Sequence, residues 1–575
     1  MSSARRRSAV VLGFALLLPV LPGATASAPA ASAASARTWY VATSGSDSAS
    51  GTLSQPLRRL RTAVDRAAAG DTIVLRRGSY HENVAVYTPN LTIRAMPGEP
   101  VWMEGARVVT GFRDTGSTWT RDGWHYDLDH SPTLTRGAPD GSPPGWQFVN
   151  PAYPMAAYPD QVWVGRSRLR QVATAAEVGR GTFAVDTAAD KLVIGSDPAG
   201  GTVLASTLSK AISVRATGVR LIGFGVRRYA VSVPDHGAVT LERANTSMTR
   251  MKVVDNATSG LGVSADDIHL TDSTFSRNGL IGIHGAHSYR LKMRGLIVQR
   301  NNLERFNQAP MAGGIKIGRS RGVSLRYSVV TQNYGTAVWW DESVYDSLVV
   351  NNRITWNTGH GVHVEISERA VVANNLILKN DDKGIQVVDS GAVRVYNNTL
   401  VSNHRPINII QDKRTQENAQ SGHDLRRPWP DPTVPWRVDD VTLRNNVVAY
   451  PREVANCMLC VEDGSHQRSA AQMGVRSQAN VYVRPSGPRW LVVWSSGEGN
   501  PATFTTLSAF RSTTSQETRG VLTSSGVVTW RGRPAAMLLR WGRERATSLP
   551  SDIAALIGVR TSIDRIGVCQ WRLKW

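Results

Sequence analysis

Lys316, Asp341, His363 and Glu365 fall in three consecutive segments of one pattern, GIKIG, VWWDES and VHVEIS, in which Lys316, Trp339 and His363 are 23 and 24 residues apart. Two carboxylates held side by side suit glycoside hydrolysis, one acting as acid/base and the other as nucleophile. An amine or imidazole beside them suits proton removal at C5 of a uronate, with Asp341 and Glu365 holding calcium or a shared proton against the sugar carboxylate. Lys316, Asp341, His363 and Glu365 are the candidate catalytic residues. The plain alternative for the acids is that they are solvated residues at strand ends.

These segments share one alternation. In a strand, successive side chains point to opposite faces, so Val338 and Trp340 face inward while Trp339 and Asp341 face outward. Aligning GIHG, GIKIG, VHVEIS, IQVVDS and INIIQD puts Ile283, Ile315, Val338, Val362, Ile385 and Ile407 inward, all apolar. The outward column is His284, Lys316, Trp339, His363, Gln386 and Asn408. Two positions further along are Gly318, Asp341, Glu365, Val388 and Ile410. Stacked strands bring equivalent residues to ~4.8 Å, so a lysine, two imidazoles, two carboxylates and an indole converge. Trp339, His284, Gln386 and Asn408 are the candidate substrate-binding residues. Lying outside the apolar core, Asp341 and Glu365 should tolerate neutral substitution with little change in thermal unfolding.

The scaffold that positions them is a repeat of about 23 residues. Segments ending at Asn278, Asn301, Asn333, Asn357, Asn380 and Asn403 align, as in AVVANNLILKN and VRVYNNTLVSN. Each unit holds short apolar strands punctuated by Asn or Gly. A unit this small cannot bury its own apolar face and must stack on copies of itself, which makes an all-β parallel solenoid. The recurrent asparagines read as structural, their stacked amides satisfying turn backbone groups.

Two further stretches carry a family signature. YVATSGSD at 40–47 precedes a helical spacing of Leu57, Leu60, Val64 and Ala67, with Gly70 placed as its C-terminal cap, and then GDTIVLRRGSY at 70–80. This order resembles the N-terminus of secreted pectate-lyase-like right-handed parallel β-helix proteins. The resemblance implies a capping helix, three strands per rung, and an Asn ladder between the second and third strands. Asn352, Asn375, Asn398 and Asn446 fill that ladder, and the strand bearing Lys316, Trp339 and His363 becomes the first of its rung, where the superfamily builds its substrate groove. PDQVWVGRSRLRQV and GTFAVD resemble the insertion of a bacterial and actinobacterial group of these proteins. The expected organisation is a signal peptide and processed linker at 1–36, a cap and first rungs at 37–101, a β-rich insertion at 102–205, regular rungs at 206–450, and a segment closing the far edge at 451–575. The long loops NLERFNQAPMAGG and KRTQENAQSGHDLRRPWPDPTVPW flank the outward columns, where binding and catalysis tend to sit.

The start, ARRR followed by an apolar run and ATASAPAASAASA, reads as a secretory signal, placing the mature protein outside the cell. No stretch approaches the length of a membrane span. The net charge of +21 in 575 residues is spread along the chain; an arginine-favouring genome or attraction to acidic glycans explains it. No recognition motif for nucleic acid accompanies it. The expected partner is a polysaccharide, an acidic one where the positive charge serves binding, met by a monomer. Cys457 and Cys460 suit a local disulfide with Cys569 free. Calcium is the one cofactor that the acids suggest, at Asp341 and Glu365 or among Asp381, Asp382 and Asp389, although an Asp-Asp-Lys run is also an ordinary turn. No metal site is assigned. Hydrolysis, elimination, and glycan binding without chemistry all remain compatible with these residues.

Overall fold

The computed structural model describes residues 36–418, 420–452, 456–484, 489–524 and 526–569; the signal segment lies outside them except for Ala36. Three sheets of thirteen strands run along residues 37–524. One rung shows how the chain visits them. Thr336–Asp341 lies in the first sheet, Tyr345–Val350 in the second and Arg353–Thr355 in the third, before Val362–Glu365 returns to the first. Pairing between rungs is parallel throughout, apart from Ala502–Phe504, which runs antiparallel to Val492–Trp494. The architecture is a three-sided parallel β-helix.

Register follows the apolar column. Ile283, Ile315, Val338, Val362, Ile385 and Ile407 are consecutive partners in the first sheet, and none is more than 2% exposed. They belong to one core that extends from Trp39 to Phe510. Each such side chain contributes about 1.5–3 kcal/mol of transfer free energy. A slip of one residue would turn the whole column outward, so the register is strongly specified.

Two corners of the triangle are closed by amide ladders. Between the second and third sheets, Asn352, Asn375, Asn398, Asn446 and Asn480 are linked Nδ2 to Oδ1 at 2.9–3.1 Å. Where the third sheet leads back to the first, Asn256, Asn278, Asn301, Asn333, Asn357, Asn380 and Asn403 form a second ladder. Each Oδ1 also accepts the backbone N–H of the preceding rung's asparagine, as Asn375 does from Asn352 at 2.9 Å. Turn N–H groups that face the interior thereby find partners, which a buried backbone requires.

The ends differ from expectation. The N-terminal helix is Leu60–Arg66, burying Leu60, Ala63 and Val64, and Ala67 rather than Gly70 is its C-cap; the extended Ala67 backbone stops the helix one turn earlier. Val101–Glu104 pairs in the third sheet with Gly78–Tyr80 and Gly225–Arg227, so the insertion leaves the helix at Ala106. It builds two small sheets, one of them closing Ala106–Val108 onto Val203–Ser206, around its own core of Trp124, Val162, Phe183, Leu192 and Ile194. Rungs also continue past 450, through Leu459–Asp463, Arg476–Gln478 and Val481–Val483. The far end is closed by Leu507–Thr514, whose Phe510 packs on Trp494 and Phe504. The last segment turns back along the side. Leu549, Ile553 and Ile557 cover Val371 and Tyr396 of the second sheet, and Leu538, Ile566 and Val568 cover Leu376 and Leu378 of the third. Cys457 and Cys460 form a disulfide and Cys569 is free. No described helix is long and apolar enough to cross a membrane.

Asn375 accepts two hydrogen bonds from Asn352 and donates to Asn398 and to the Val349 carbonyl. Truncation to alanine removes these and leaves buried backbone unsatisfied, at ~1 kcal/mol net per bond. Asn375→Ala should lower the denaturation midpoint by the equivalent of about 3 kcal/mol, while Lys292→Ala, exposed on the second sheet, should leave it unchanged.

Candidate active site

The outward face of the first sheet is not open. Trp339, Asp341, His363 and Glu365 are only 6–8% exposed, because the insertion and both long loops fold over them. This changes what their charges cost. A cavity of about 470 Å³ remains, lined by Trp339, His363, Glu365, Gln386, Val388 and Ile410 from the sheet, by His360 and Thr336 at the starts of strands, and by Trp146, Gln308, Ala309, Asp412 and Arg414 from the covering segments. Larger cavities of about 740 and 760 Å³ lie beside the insertion and on the second sheet. Neither contains any of these four residues.

Asp341 and Glu365 extend from adjacent rungs in one register column, since Trp340 pairs with Val364 immediately before them. Their surroundings differ. The Lys316 ammonium lies 2.7 Å from Asp341 Oδ2 and also donates to the Pro310 carbonyl at 2.6 Å. It sits 3.9 Å from the Trp339 ring centroid. Glu365 Oε2 accepts the Trp339 indole N–H at 3.0 Å, and Oε1 meets Arg414 at 2.7 Å. Burial first and the Asp341 charge second push the Glu365 carboxyl up to about 7, against the pull of Arg414. The Glu365 carboxyl is thus poised to gain or lose a proton near neutral pH, as a general acid/base requires.

The imidazoles are neutral. His363 stacks on Trp339, centroids 5.1 Å apart and 18° between planes, and burial drives its pKa well below the ordinary value. Its Nε2 is 3.5 Å from Glu365 Oε2, a contact in which the ring is neutral and so not an ion pair. Both ring nitrogens of His363 and Oε1 of Gln386 are buried without a hydrogen-bond partner. His360 meets His363 edge-on at 4.8 Å, and burial lowers it to about 4.

Several expected members lie elsewhere. Asp341 does not line the cavity, its oxygens being turned to Lys316 and to the Glu342 N–H. Asn408 is buried and held by Arg405 at 2.7 Å, and His284 is bound to the His236 carbonyl at 2.6 Å, outside the cavity. Asp381, Asp382 and Asp389 do not converge. They face Arg452, Lys383 and Arg414 respectively, and among the described residues no three His, Cys, Asp or Glu side chains form a cation site. Calcium between Asp341 and Glu365 does not fit the residues present, because Lys316 and Arg414 already occupy their oxygens.

Arg414 is the functional residue that the strand pattern could not supply. Besides Glu365 it meets Asp389 at 3.1 Å and Asp412 at 2.8 Å. Asp389 is itself pushed up to about 8, by burial first and by Asp412. Glu342, in a tight turn, is raised by burial and by Asp341. Arg414 belongs to an irregular loop with no period to align, so only the length of that loop signalled it.

The comparisons agree with the architecture. Residues 236–400 match the model of the right handed beta helix region. Over 81 residues, 13% of this chain and 17% of the relative, the sequence is 36% identical to the uncharacterized protein YwoF of Bacillus subtilis (strain 168). Over 73 residues, 12% and 18%, it is 40% identical to pectate lyase PEL9 of Emericella nidulans. The chain thus spans less than a fifth of the length of the curated relatives it matches. The solved structure of XylC in complex with xylose is similar over 85% of this chain and 86% of that one, with a TM-score of 0.59 and 14% identity, a likeness that establishes the fold. The fold of the chain is a right-handed parallel β-helix.

Two outcomes follow from the burial. Asp341→Asn leaves Lys316 partly buried beside a neutral amide, so the earlier expectation of unchanged unfolding is replaced by a loss of about 3 kcal/mol, the scale for breaking a buried pair. Glu365, with a folded pKa near 7 against 4.5 for the unfolded group, binds more protons in the folded than in the unfolded state within that window. Its contribution to stability is therefore present below about pH 4.5 and lost as pH rises through about 7. Wild type should lose stability relative to Glu365→Gln across that range, by ~3 kcal/mol or less, measured as denaturation midpoints at stepped pH.

Proposed function

We propose that this protein cleaves glycosidic bonds at the Trp339–Glu365 cavity, with Glu365 as proton donor and Asp341 as the ionised partner. The observation that carries the reading is that Glu365, the carboxyl facing the cavity, is held near pKa 7 one rung from an aspartate whose carboxyl lies 2.7 Å from the Lys316 ammonium. Protonation of the leaving oxygen by Glu365 breaks the C–O bond as Asp341, which must rotate away from Lys316 and into the cavity that it does not line in the structure, bonds through its carboxylate to the anomeric carbon. Glu365, now ionised, takes a proton from water, which displaces Asp341 and restores both groups. In-register positions on strands ~4.8 Å apart suit the ~5–5.5 Å separation that goes with retention rather than the wider gap of inversion.

The bound ring is neutral in this reading. Among the described residues Arg414 is the one guanidinium lining the cavity and is shared by Glu365, Asp389 and Asp412, and both imidazoles are uncharged, so among them no free cation is left for a uronate carboxylate. Trp146, 59% exposed, offers indole surface, and Gln386 Oε1 and the His363 nitrogens are polar atoms without partners that hydroxyls would satisfy. Export of the mature protein to act on a polysaccharide outside the cell belongs to the same proposal, and the leader pattern at the start of the chain supports it.

Incubation with a panel of neutral and uronic acid glycans should yield saturated reducing ends, with the first-formed anomer, read by NMR, retaining the substrate configuration. Glu365→Gln should lower kcat by about 10³-fold or more with the fold intact, since an acid/base carboxyl acts only on the reacting bond. Unsaturated products would replace hydrolysis with elimination. Full turnover in Glu365→Gln would remove the site from the chemistry altogether.

A further inference from the structure

A second cavity, of about 760 Å³, lies on the outer face of the second sheet, between Pro550 and Asp552 at the start of the last helix and the loop carrying Thr433 and Asp440. Its floor is built by the same stacking that makes the first site. Arg394, Thr442 and Arg476 form one outward column, and Tyr396, Arg444 and Gln478 the next. The intervening Val395, Leu443 and Ser477 point inward and are buried. Arg369 and Tyr345 extend the wall toward earlier rungs. Four arginines thus face one cleft.

Their partners do not use them up. Arg394 meets Asp552 at 2.6 Å, Arg369 lies 3.6 Å from Asp346, and Arg476 pairs with Asp440, each a single carboxylate against a group with five N–H donors. Arg444 has no ion-pair partner among the described residues, and its Nε is buried without a hydrogen bond. An unsatisfied guanidinium in a cleft costs desolvation that an incoming oxyanion would recover through a bidentate pair. Glu368, which also lines the cleft, accepts the Gly391 N–H at 3.0 Å and is pushed up to about 8, by burial first and then by Asp439 and Asp440. At neutral pH it is mostly uncharged, so it does not cancel Arg444 and can donate to an oxygen. Tyr345 offers a half-buried ring beside them, with Arg321 and Arg369 against it at 4.6 and 5.4 Å.

From this arrangement we infer a second binding site, on the second sheet around Arg444, that takes the oxyanion of an acidic carbohydrate, a carboxylate or a sulfate ester, with neighbouring hydroxyls on Glu368 and Asp440. The inference stands independently of the cleavage reading. It gives part of the diffuse positive charge a local purpose: holding an acidic stretch of glycan on one face while the cavity on another face takes an uncharged ring.

Titration calorimetry of the full chain with three oligosaccharides of equal length tests it: oligogalacturonate, a sulfated oligosaccharide and a neutral cello-oligosaccharide. At least one acidic ligand should bind at least tenfold more tightly than the neutral one, and the tighter of the two identifies carboxylate or sulfate as the group. Arg444→Gln should weaken that binding at least tenfold, and Glu365→Gln should leave it unchanged. If Arg444→Gln does not fold, Arg444→Lys, which keeps the charge and loses the fork, should weaken it several-fold. Equal affinity for the neutral ligand, or binding indifferent to Arg444, would reduce the effect to diffuse surface charge and overturn the site. Loss in Glu365→Gln would move the acidic ligand to the first cavity, and the inference would fall while cleavage stood.

Discussion

Everything in this molecule depends on rungs too small to fold alone. A rung of three short strands has no interior until another lies on it, so the apolar columns exist only as a stack. Stacking in turn forces register, because a one-residue slip would exchange Val338 for Trp339 and Val362 for His363 along the whole sheet. The amide ladders supply the second half of the constraint. They hold two of the corners at the strand spacing through side-chain amides that both donate and accept along the stack. The result is a rigid lattice on which an outward residue has a position determined by its rung and column alone. Chemistry can then be written into the columns without disturbing the core.

What the columns do is set by what covers them. An outward Asp or Glu on a bare β-helix would be a solvated carboxylate with an ordinary pKa. Here the insertion brings Trp146, the loop before Lys316 brings Gln308 and the Pro310 carbonyl, and the loop after Gln411 brings Arg414. Burial raises the energy of every charge beneath these segments, and the two carboxylates answer it differently. Asp341 is paired with Lys316 at 2.7 Å. Glu365 shares Arg414 with two other acids and is driven toward the neutral form. The same covering neutralises His363, which leaves the site with one fixed charge pair and one movable proton.

The division between what was legible in the sequence and what was not follows from this. The first-sheet register could be read from alternation and a 23-residue period, down to which residue of VWWDES faces in, because the period is imposed by the backbone. Three-sidedness and the ladder at Asn352 came from resemblance to known β-helices, and the second ladder through Asn278 and Asn403 was visible only as a repeat marker. Arg414, His360 and Trp146 escaped, because contacts made by irregular loops have no period and depend on a path that only the folded chain defines. The burial of the outward face was missed for the same reason. Asn408 and His284 were placed in the correct column yet lie beyond the ends of the cavity, since a column says which residues are aligned and not where the cover stops.

That separation of lattice from cover also explains how an arginine-rich chain can hold a site with so little free positive charge. Arg414, the arginine lining the cavity, is drawn to buried acids, Glu365 and Asp389 with Asp412. Such pairing cancels charge where the dielectric is low and the cost of leaving it is greatest. On the second sheet the carboxylates that meet the arginines are more exposed, and the arginines keep unused donors. The net charge of +21 is therefore not a property of the first cavity. The electrostatic character of each face is decided locally, by how deeply the acids that meet its arginines are buried.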